Sequence, residues 1–545
     1  MPTLTWIGKE KVINHHRDVP FHTLERRYGF SAEEGESALP AGSGNKIIHG
    51  DNLLALKSLL PEYEGKIKCI YIDPPYNTGN ENWVYNDNVN DPRIRKWLGD
   101  VVGKEGDDLS RHDKWLCMMY PRLKLLHKLL DNDGFIAISI DDNEVFSLGI
   151  LLDEIFGISK RIACAPVRSE PSGGKGKDAL RIGHEYLLIY CKQNTSGLKL
   201  ESKDVSGNVF YDKWGEYVKG RELSKWGSES LRQDREEMWY PLFSPDKKEV
   251  FPFRNDGKQG RWRWGKKNPH IINILKDPEY AHWEIRPYDD EITVNGEKER
   301  WFPFEKIREK ERKFGWNTWL DKIGYNAEGT KHIKEIFSEK IFDTPKPLGL
   351  IEWVINLMNN ENGIVLDSFA GSATTGHAIL NLNNLDGGNR KFILVEMEDY
   401  ADTITAERVK RVIRGYGNTE GAGGSFDYYE LGIPLFTGDN GEFLNEEAGA
   451  GKISEYIWYS ETRTSYAAPE TGADCPAFLG KLEGTAWYFF YEKGEITTLD
   501  YDLLSTVKTR AGQYVMYADN CLLPKEFMLE KNIIFKKIPR DITRF

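Results

Sequence analysis

Residues 45–73 read NKIIHGD, then a leucine-rich LLALKSLLPEYEG, then KIKCIYID. The outer segments are short apolar runs and the middle one has helical spacing, which gives strand, helix, strand. Each strand closes on an aspartate, Asp51 and Asp73. A helix between two strands is the crossover that parallel pairing requires, so this unit points to an α/β sheet. The alternation continues with the amphipathic WLCMMYPRLKLLHKLL, a strand GFIAISID (134–141), an apolar-periodic stretch to Phe156, and a strand HEYLLIYCK (184–192). It resumes far downstream with GIVLDSF (363–369), a turn of small residues, a helix to about Leu385, the strand KFILVEME (391–398) and the helix YADTITAERVKRVIRGY. Sheets of this kind bind ligands at the carboxyl ends of their strands.

Between these halves the texture changes. Residues 196–334 are rich in Trp, Tyr, Lys, Arg and Glu with weak periodicity and read as an inserted domain. The α/β domain is then assembled from residues 30–195 and 335–416, behind an N-terminal arm of residues 1–29. GNTEGAGGS (417–425) reads as a linker by its glycine content, and residues 426–545 as a small α+β domain centred on a hairpin-like WYFFYEKGEITTLDY. A chain of 545 residues has room for such a division. The six cysteines are scattered with no CxxC pair, which suggests neither a zinc site nor a disulfide framework; no metal is expected, and a reducing cytoplasm fits. The first residues lack the apolar core of a signal peptide, and no stretch is suited to span a bilayer. A net charge of −12 argues against a uniformly basic coat and leaves room for a local basic patch.

VLDSFAGSATTGHA (365–378) is a strand, a tight turn and a helix start. Small residues there let a ligand approach the backbone, and the helix N-terminus favours an anionic group. One strand later an acid, Glu396, is placed to bind ribose hydroxyls. The pair reads as a site for a nucleoside-containing cofactor. Neither G-x-G-x-x-G nor the phosphate-binding G-x-x-x-x-G-K-[ST] is spelled; His377 stands where the latter needs lysine. Taken alone, the turn is also compatible with a plain strand-to-helix connection.

The other strand end, Asp73-Pro74-Pro75-Tyr76, raises a chemical question. Proline fixes φ and removes the N–H, so this turn offers acceptors without competing donors. That suits an exocyclic NH2, whose lone pair is delocalised into an aromatic ring. The Asp73 carboxylate and the Pro74 carbonyl would hold both hydrogens and favour a pyramidal nitrogen, with no covalent enzyme intermediate. Tyr76 would stack on a base extruded from the duplex. The downstream cofactor site supplies the electrophile if its ligand is S-adenosylmethionine.

DPPY followed much later by FAGS resembles the amino-methyltransferases of DNA in the permuted order called the beta group. DPPYNTGNE, DGFIAISIDDNE, FDTPKP and FAGSATTGHA are similar to the modification (Mod) subunits of type III restriction-modification systems, as are WIGKEKVINHH and NIIFKKIPRDI. The resemblance implies a mostly parallel, seven-stranded Rossmann-like sheet and site-specific transfer of methyl from S-adenosylmethionine to adenine N6 of double-stranded DNA. It also implies a homodimer and a helicase-nuclease partner, although a solitary enzyme fits equally. By it Asp73, Pro74, Pro75 and Tyr76 are catalytic. Asp367, Phe369, Ala370, Gly371 and Ser372 line the cofactor, with Glu396 on the ribose, Asp51 on the adenine edge, and Thr344 and Lys346 closing over the methionine end. Ala373 departs from the pattern, where glycine is usual. Cytosine N4, RNA, a protein amide, or a non-catalytic DNA-binding specificity subunit are the alternatives.

The insertion holds PFRNDGKQGRWRWGKKNPH, with Arg254, Lys258, Arg261, Arg263, Lys266 and Lys267 against one acid, Asp256. Strand alternation through Arg261-Trp262-Arg263-Trp264 would put both arginines on one face, for phosphate or guanine contact. The plainer reading is a surface hairpin with buried tryptophans. Asp141, Asp142 and Glu144 are expected to rim the base pocket or cap the next helix. KIREKERK (306–313) is expected to be a solvated helix face.

Overall fold

The computed structural model describes residues 3–78, 96, 99–100, 111–171, 180–438, 441–470, 472 and 474–540. Two compact units emerge, one of residues 1–199 with 317–545 and the other of residues 200–316. The insertion is therefore shorter at both ends than the composition shift suggested. Asn326–Phe337, assigned to it from sequence, packs in the first unit against the helix Glu407–Arg414.

The first unit is built on a ten-stranded sheet. In chain order its strands are β1 (His22–Ser31), β2 (Gly35–Ser37), β3 (Lys46–His49), β4 (Ile67–Ile72), β5 (Leu130–Ile140), β6 (Arg161–Arg168), β7 (His184–Cys191), β8 (Ile364–Asp367), β9 (Lys391–Glu396) and β10 (Ser425–Pro434). The helices that matter here are α1 (Asn52–Tyr63), α2 (Arg111–Leu129), α3 (Val145–Phe156), α4 (Asn326–Phe337), α5 (Leu348–Asn356), α6 (Thr374–Asp386) and α7 (Glu407–Arg414). Across the sheet the order is β2-β1-β10-β3-β9-β8-β4-β5-β7-β6. The run from β10 to β5 is parallel, and β7 is antiparallel to both its neighbours.

This is wider than the seven strands expected. The extra width is β2, β1 and β10, with β1 pairing antiparallel to β10 from Ser31↔Ser425 to His22↔Pro434. Glycine content had marked 417–425 as a linker, but the chain there makes a tight Gly415–Tyr416/Thr419–Glu420 pairing and enters β10 at Ser425. Asn45 closes this junction by donating its side-chain amide to the Ser425 carbonyl at 2.8 Å.

Central strands read as unbroken apolar runs because both faces are covered. Ile70, Ile72, Ile136, Ile138, Leu366 and Ile393 share one buried cluster with leucines of α1, α2 and α3. The alternate residues Tyr71, Ala137, Val365 and Leu394 are equally buried and, by strand pleat, face the other way. Each such side chain contributes about 1.5–3 kcal/mol.

The small C-terminal sheet comprises Phe478–Leu482, Thr485–Phe489, Gln513–Ala518 and Ile533–Lys537, in that order. Its first pair is antiparallel and the rest parallel. The hairpin therefore falls before Trp487, not after it: residues 485–488 pair with Phe478–Leu482, and among the described residues only the bridge Glu492↔Glu495 marks the expected turn. The second unit is a four-stranded antiparallel sheet of Val209–Asp212, Gly215–Glu222, Ala281–Pro287 and Glu299–Ile307, with Glu201–Asp204 paired to Glu311–Phe314. KIREKERK is thus the end of one strand and the start of the next, not a helix. Among the described residues no helix is long and apolar enough to cross a membrane.

After β8 the chain turns through Ser368–Ala373 into α6, and nearly every backbone group of the turn is tied. Phe369 N–H donates to Asp367 Oδ1 at 3.0 Å, Ala370 N–H to the Val395 carbonyl at 3.1 Å, Gly371 N–H to Glu396 Oε2 at 2.7 Å, and Ala373 N–H to the Ala370 carbonyl at 2.8 Å. Gly371 has φ 50°, and Ala373, fully buried, has φ 62° and ψ 38°. Left-handed backbone is natural for glycine and costs another residue about 1–2 kcal/mol. Ala373→Gly is therefore expected to raise stability by roughly 0.5–1 kcal/mol, the relieved strain less the added chain entropy of glycine. A higher denaturant midpoint would bear this out; a lower one would mean that packing of the methyl outweighs its strain.

Candidate active site

Parallel strands place their carboxyl ends on one edge, and four neighbours, β3, β9, β8 and β4, each end on or next to an acid: Asp51, Glu396, Asp367 and Asp73. The connections from β8 run toward β9 and those from β4 toward β5, so the sheet changes direction between β8 and β4. A crevice is expected at that point. A cavity of about 340 Å³ opens there. Its walls are Tyr71 and Asp73 from β4, Asp367 and Phe369–Ser372 from the turn, Thr374 and Thr375 from α6, and Phe342 with Thr344–Lys346 from the segment before α5. The two turns singled out in the sequence thus share one cavity. Gly329 in α4 lets the Thr344–Lys346 segment approach, since a Cβ there would lie 2.1 Å from the Pro345 carbonyl.

On the β4 side the two prolines have different duties. The Pro75 carbonyl accepts from the buried indole of Trp115 at 2.6 Å, which anchors the turn to α2. Among the described residues no donor meets the Pro74 carbonyl. Lys346 reaches across from the facing segment, with its Nζ 3.3 Å from Asp73 Oδ1 and 2.7 Å from Glu185 Oε2. It also donates to the Tyr76 hydroxyl and lies 4.5 Å from the centre of that ring. Tyr76 in turn donates to Glu185 Oε2 at 2.8 Å, and Asn326 holds Glu185 Oε1 at 3.1 Å. Burial disfavours the ammonium, but Asp73 and Glu185 outweigh it and hold its pKa above the usual lysine value. Against the burial of Glu185, Lys346 and the hydrogen bonds keep that carboxyl below the usual glutamate value. Glu185 carries no sequence signal beyond a charged residue early in an apolar strand, and sequence reasoning missed it.

On the β8 side, burial pushes the Asp367 carboxyl up to about 7, against hydrogen bonds from Thr375 Oγ1 (2.6 Å) and the Phe369 N–H, with Asp73 adding to the rise. Burial likewise pushes Glu396 up to about 8, although it accepts from the N–H groups of Gly371 and Glu398. Glu396 therefore stands behind the turn, not in the cavity wall. Asp51 is also outside the wall; its Oδ1 caps α1 by accepting from Leu53 and Leu54 N–H at 2.8 and 3.1 Å. Glu144, expected at a rim or a cap, makes no cap hydrogen bond. It is fully buried, 2.6 Å from His112 Nδ1 and bonded to the Asn77 amide.

Within the second unit the Arg-Trp-Arg-Trp segment forms no strand beyond the bridge Ser224↔Trp262. The predicted separation of faces fails because Arg261 is buried, donating to the Glu229 and Trp262 carbonyls. Trp262 sits in the core of this unit with Leu223, Tyr240 and Ile271. Arg263 donates to the Glu222 carbonyl at 3.2 Å, and Arg254 to Ser230. Lys258, Lys266 and Lys267 are exposed. The six cations are thus of two kinds, three arginines that tie loops and three lysines that face solvent.

The DNA methylase family matches residues 67–407. The type II methyltransferase M.KpnI of Klebsiella pneumoniae is 36% identical over 386 residues, covering 68% of this chain and 85% of that protein. The EcoPI Mod subunit of a type III restriction-modification enzyme, from Escherichia phage P1, is 30% identical, covering 73% of this chain and 64% of its own length. The StyLTI Mod subunit of Salmonella typhimurium is 31% identical, covering 72% and 61%. The chain thus spans less than two thirds of the Mod subunits it matches and most of the type II enzyme. With a match over more than half its length, and with both turns of the cavity inside that match, the chain belongs to the DNA methylase family.

Proposed function

We propose that this chain methylates adenine N6 within a specific DNA sequence, and that the cavity between β8 and β4 is where it does so. The observation that carries this is the shared cavity: a turn suited to a nucleoside cofactor faces a turn that presents acceptors for an amine. S-adenosylmethionine, the methyl donor of this family, supplies when bound an electrophilic methyl on a sulfonium. The residues present suit it. Phe369, Ala370, Gly371, Ser372 and Thr344 line the space, Asp367 offers a carboxylate to the cationic end, and Glu396 keeps a second lone pair on each oxygen for ribose hydroxyls. Asp51 would take the adenine edge with the oxygen that does not cap α1.

The chain's own groups then account for the chemistry. Asp73 and the Pro74 carbonyl accept the two amine hydrogens and orient the nitrogen lone pair. The proton released on methyl transfer leaves through the same hydrogen bonds. Lys346 gives Asp73 a fixed counter-charge, and Glu185 holds Lys346 and Tyr76 in place. Reaching this buried turn requires a base extruded from the duplex.

The seven strands β3-β9-β8-β4-β5-β7-β6 would be the methyltransferase core in permuted order, with the catalytic turn ahead of the cofactor turn. Residues 200–316 would read the target, with Lys258, Lys266 and Lys267 on phosphates and Arg254 and Arg263 shaping loops. Relatives named as Mod subunits of type III restriction-modification enzymes support a place in such a system, and with it we propose the cytoplasmic setting, helicase-nuclease partner and homodimer that the family resemblance implies.

Expressed in a host without DNA methylation, the protein is expected to yield N6-methyladenine in one sequence context, measured by nucleoside mass spectrometry. Asp73→Ala should lower it by at least about a thousandfold; N4-methylcytosine in place of methyladenine would overturn the adenine assignment. Glu185→Gln should slow methyl transfer by about ten- to a hundredfold with donor affinity changed less than about threefold. An unchanged rate would remove Glu185 from the mechanism. A cationic donor should bind more tightly as pH rises from about 6 to about 8.5, because ionised Asp367 favours the cation and ionised Glu396 the ribose hydroxyls, and their pKa values lie near 7 and 8. The unfolded chain ionises these carboxyls near 4, so each costs the ligand-free fold stability that grows as pH climbs to its folded value. Proton release on binding, read by calorimetry in buffers of different ionisation enthalpy, checks this; affinity independent of pH contradicts it.

A further inference from the structure

Directly under the cofactor turn lies Arg408, on α7 and fully buried. Its Nη1 donates to the Ser372 carbonyl at 3.1 Å, to Ser372 Oγ at 3.0 Å and to Thr374 Oγ1 at 2.8 Å. Its Nη2 lies 3.2 Å from His377 Nδ1, and its Nε is buried with no partner among the described residues. Among the described residues no carboxylate pairs with this guanidinium. Burial draws its pKa down to about 10, and burial together with Arg408 itself keeps His377 neutral. A buried cation surrounded by neutral groups is expensive, and such groups are normally paired. Its Nη1 contacts all run to Ser372 and Thr374, where the turn that floors the cavity enters α6.

The helix is shaped to deliver it. Asp402–Ala406 forms a π-helical turn ahead of α7, a widening often found at functional sites. Thr405 there donates its hydroxyl to the Gly371 carbonyl at 2.6 Å, so Thr405 and Arg408 hold the consecutive carbonyls of Gly371 and Ser372. The Ser372 and Thr374 oxygens both accept from Arg408, which turns their own protons away from it, that of Thr374 toward the Lys346 carbonyl at 3.5 Å. Both residues line the cavity, at the N-terminus of the 13-residue α6. That helix end adds its own positive potential.

We infer that Arg408 is the buried counter-charge for an anionic group bound at the N-terminus of α6, the α-carboxylate of the donor, acting through the hydroxyl of Ser372. It is a positioning residue, since it does not line the cavity. The inference rests on the cavity being the donor site and adds which end of the donor lies over α6.

The test uses calorimetry on the full chain with two neutral-sulfur probes, S-adenosylhomocysteine and 5′-methylthioadenosine, which lacks the amino-acid moiety. Arg408→Gln should weaken S-adenosylhomocysteine by about ten- to a hundredfold while 5′-methylthioadenosine changes by less than about threefold. Arg408→Lys, which keeps the charge, should retain most of the preference for the first probe. Equal weakening of both probes in either variant would make Arg408 a purely structural prop and overturn the inference, as would no weakening in Arg408→Gln. If Arg408→Gln fails to fold, Arg408→Lys decides: a preserved preference supports the assignment and a parallel fall sinks it. Failure of the parent protein to bind either probe would instead overturn the reading of the cavity itself.

Discussion

Parallel pairing of β8 with β4 joins strands from opposite parts of the chain, with Leu366 set beside Ile70 and Val365 beside Cys69. Everything at the site follows from that contact. It brings Asp367 and the small-residue turn next to Asp73 and the proline turn, although the whole insertion separates them in sequence. Hydrogen bonds alone would not fix the register. Interleaved burial of Ile70, Ile72, Leu366 and Ile393 on one face and of Tyr71, Val365 and Leu394 on the other forbids a one-residue slip.

On this scaffold the charges are handled in two ways. Lys346 is a buried cation with two carboxylate partners; Asp73 and Glu185 sustain its charge, it sustains that of Glu185, and Lys346 and Glu185 together hold Tyr76 by its hydroxyl. Arg408 is a buried cation with none among the described residues, where carbonyl, hydroxyl and imidazole dipoles balance it. The first arrangement is complete within the protein. The second leaves a positive potential under the turn, while Asp367 and Glu396 resist ionisation beside it. A ligand with a cationic centre and a carboxylate would relieve both. The strain at Ala373 belongs to the same turn, whose backbone is held by α7 from below and by Glu396 from behind.

Local pattern was enough to find most of the main sheet, because strands buried on both faces spell unmistakable apolar runs and the two turns punctuate them. It failed where pairing is decided at a distance. β1 lies mostly in the supposed arm and β10 at the start of the supposed C-terminal domain, and nothing in SFDYYELGIP says that its neighbours will be β3 and β1. WYFF was assigned the wrong partner, since a strand's own residues do not say which side it pairs on. In the insertion, short-range alternation through Arg261–Trp264 was no guide, because one arginine turned inward to satisfy carbonyls that a strand would have paired elsewhere.

By itself the sequence determined the chemical endowment: acids at strand ends, a donor-free proline turn, a small-residue turn before a helix, and a texture break that marks the insertion. These are properties of neighbouring residues, set by φ restriction, side-chain size and hydrophobic period. Only the tertiary structure decided which acids face the cavity and which cap a helix or brace a turn, so that Asp73 and Asp367 lie in its wall while Asp51 and Glu396 do not. It also supplied Glu185 and Arg408, whose contacts come from strands and helices distant in the chain. The reason is physical: the ionisation and direction of a buried charge depend on the dipoles and counter-charges packed around it, and those are assembled only when the sheet closes.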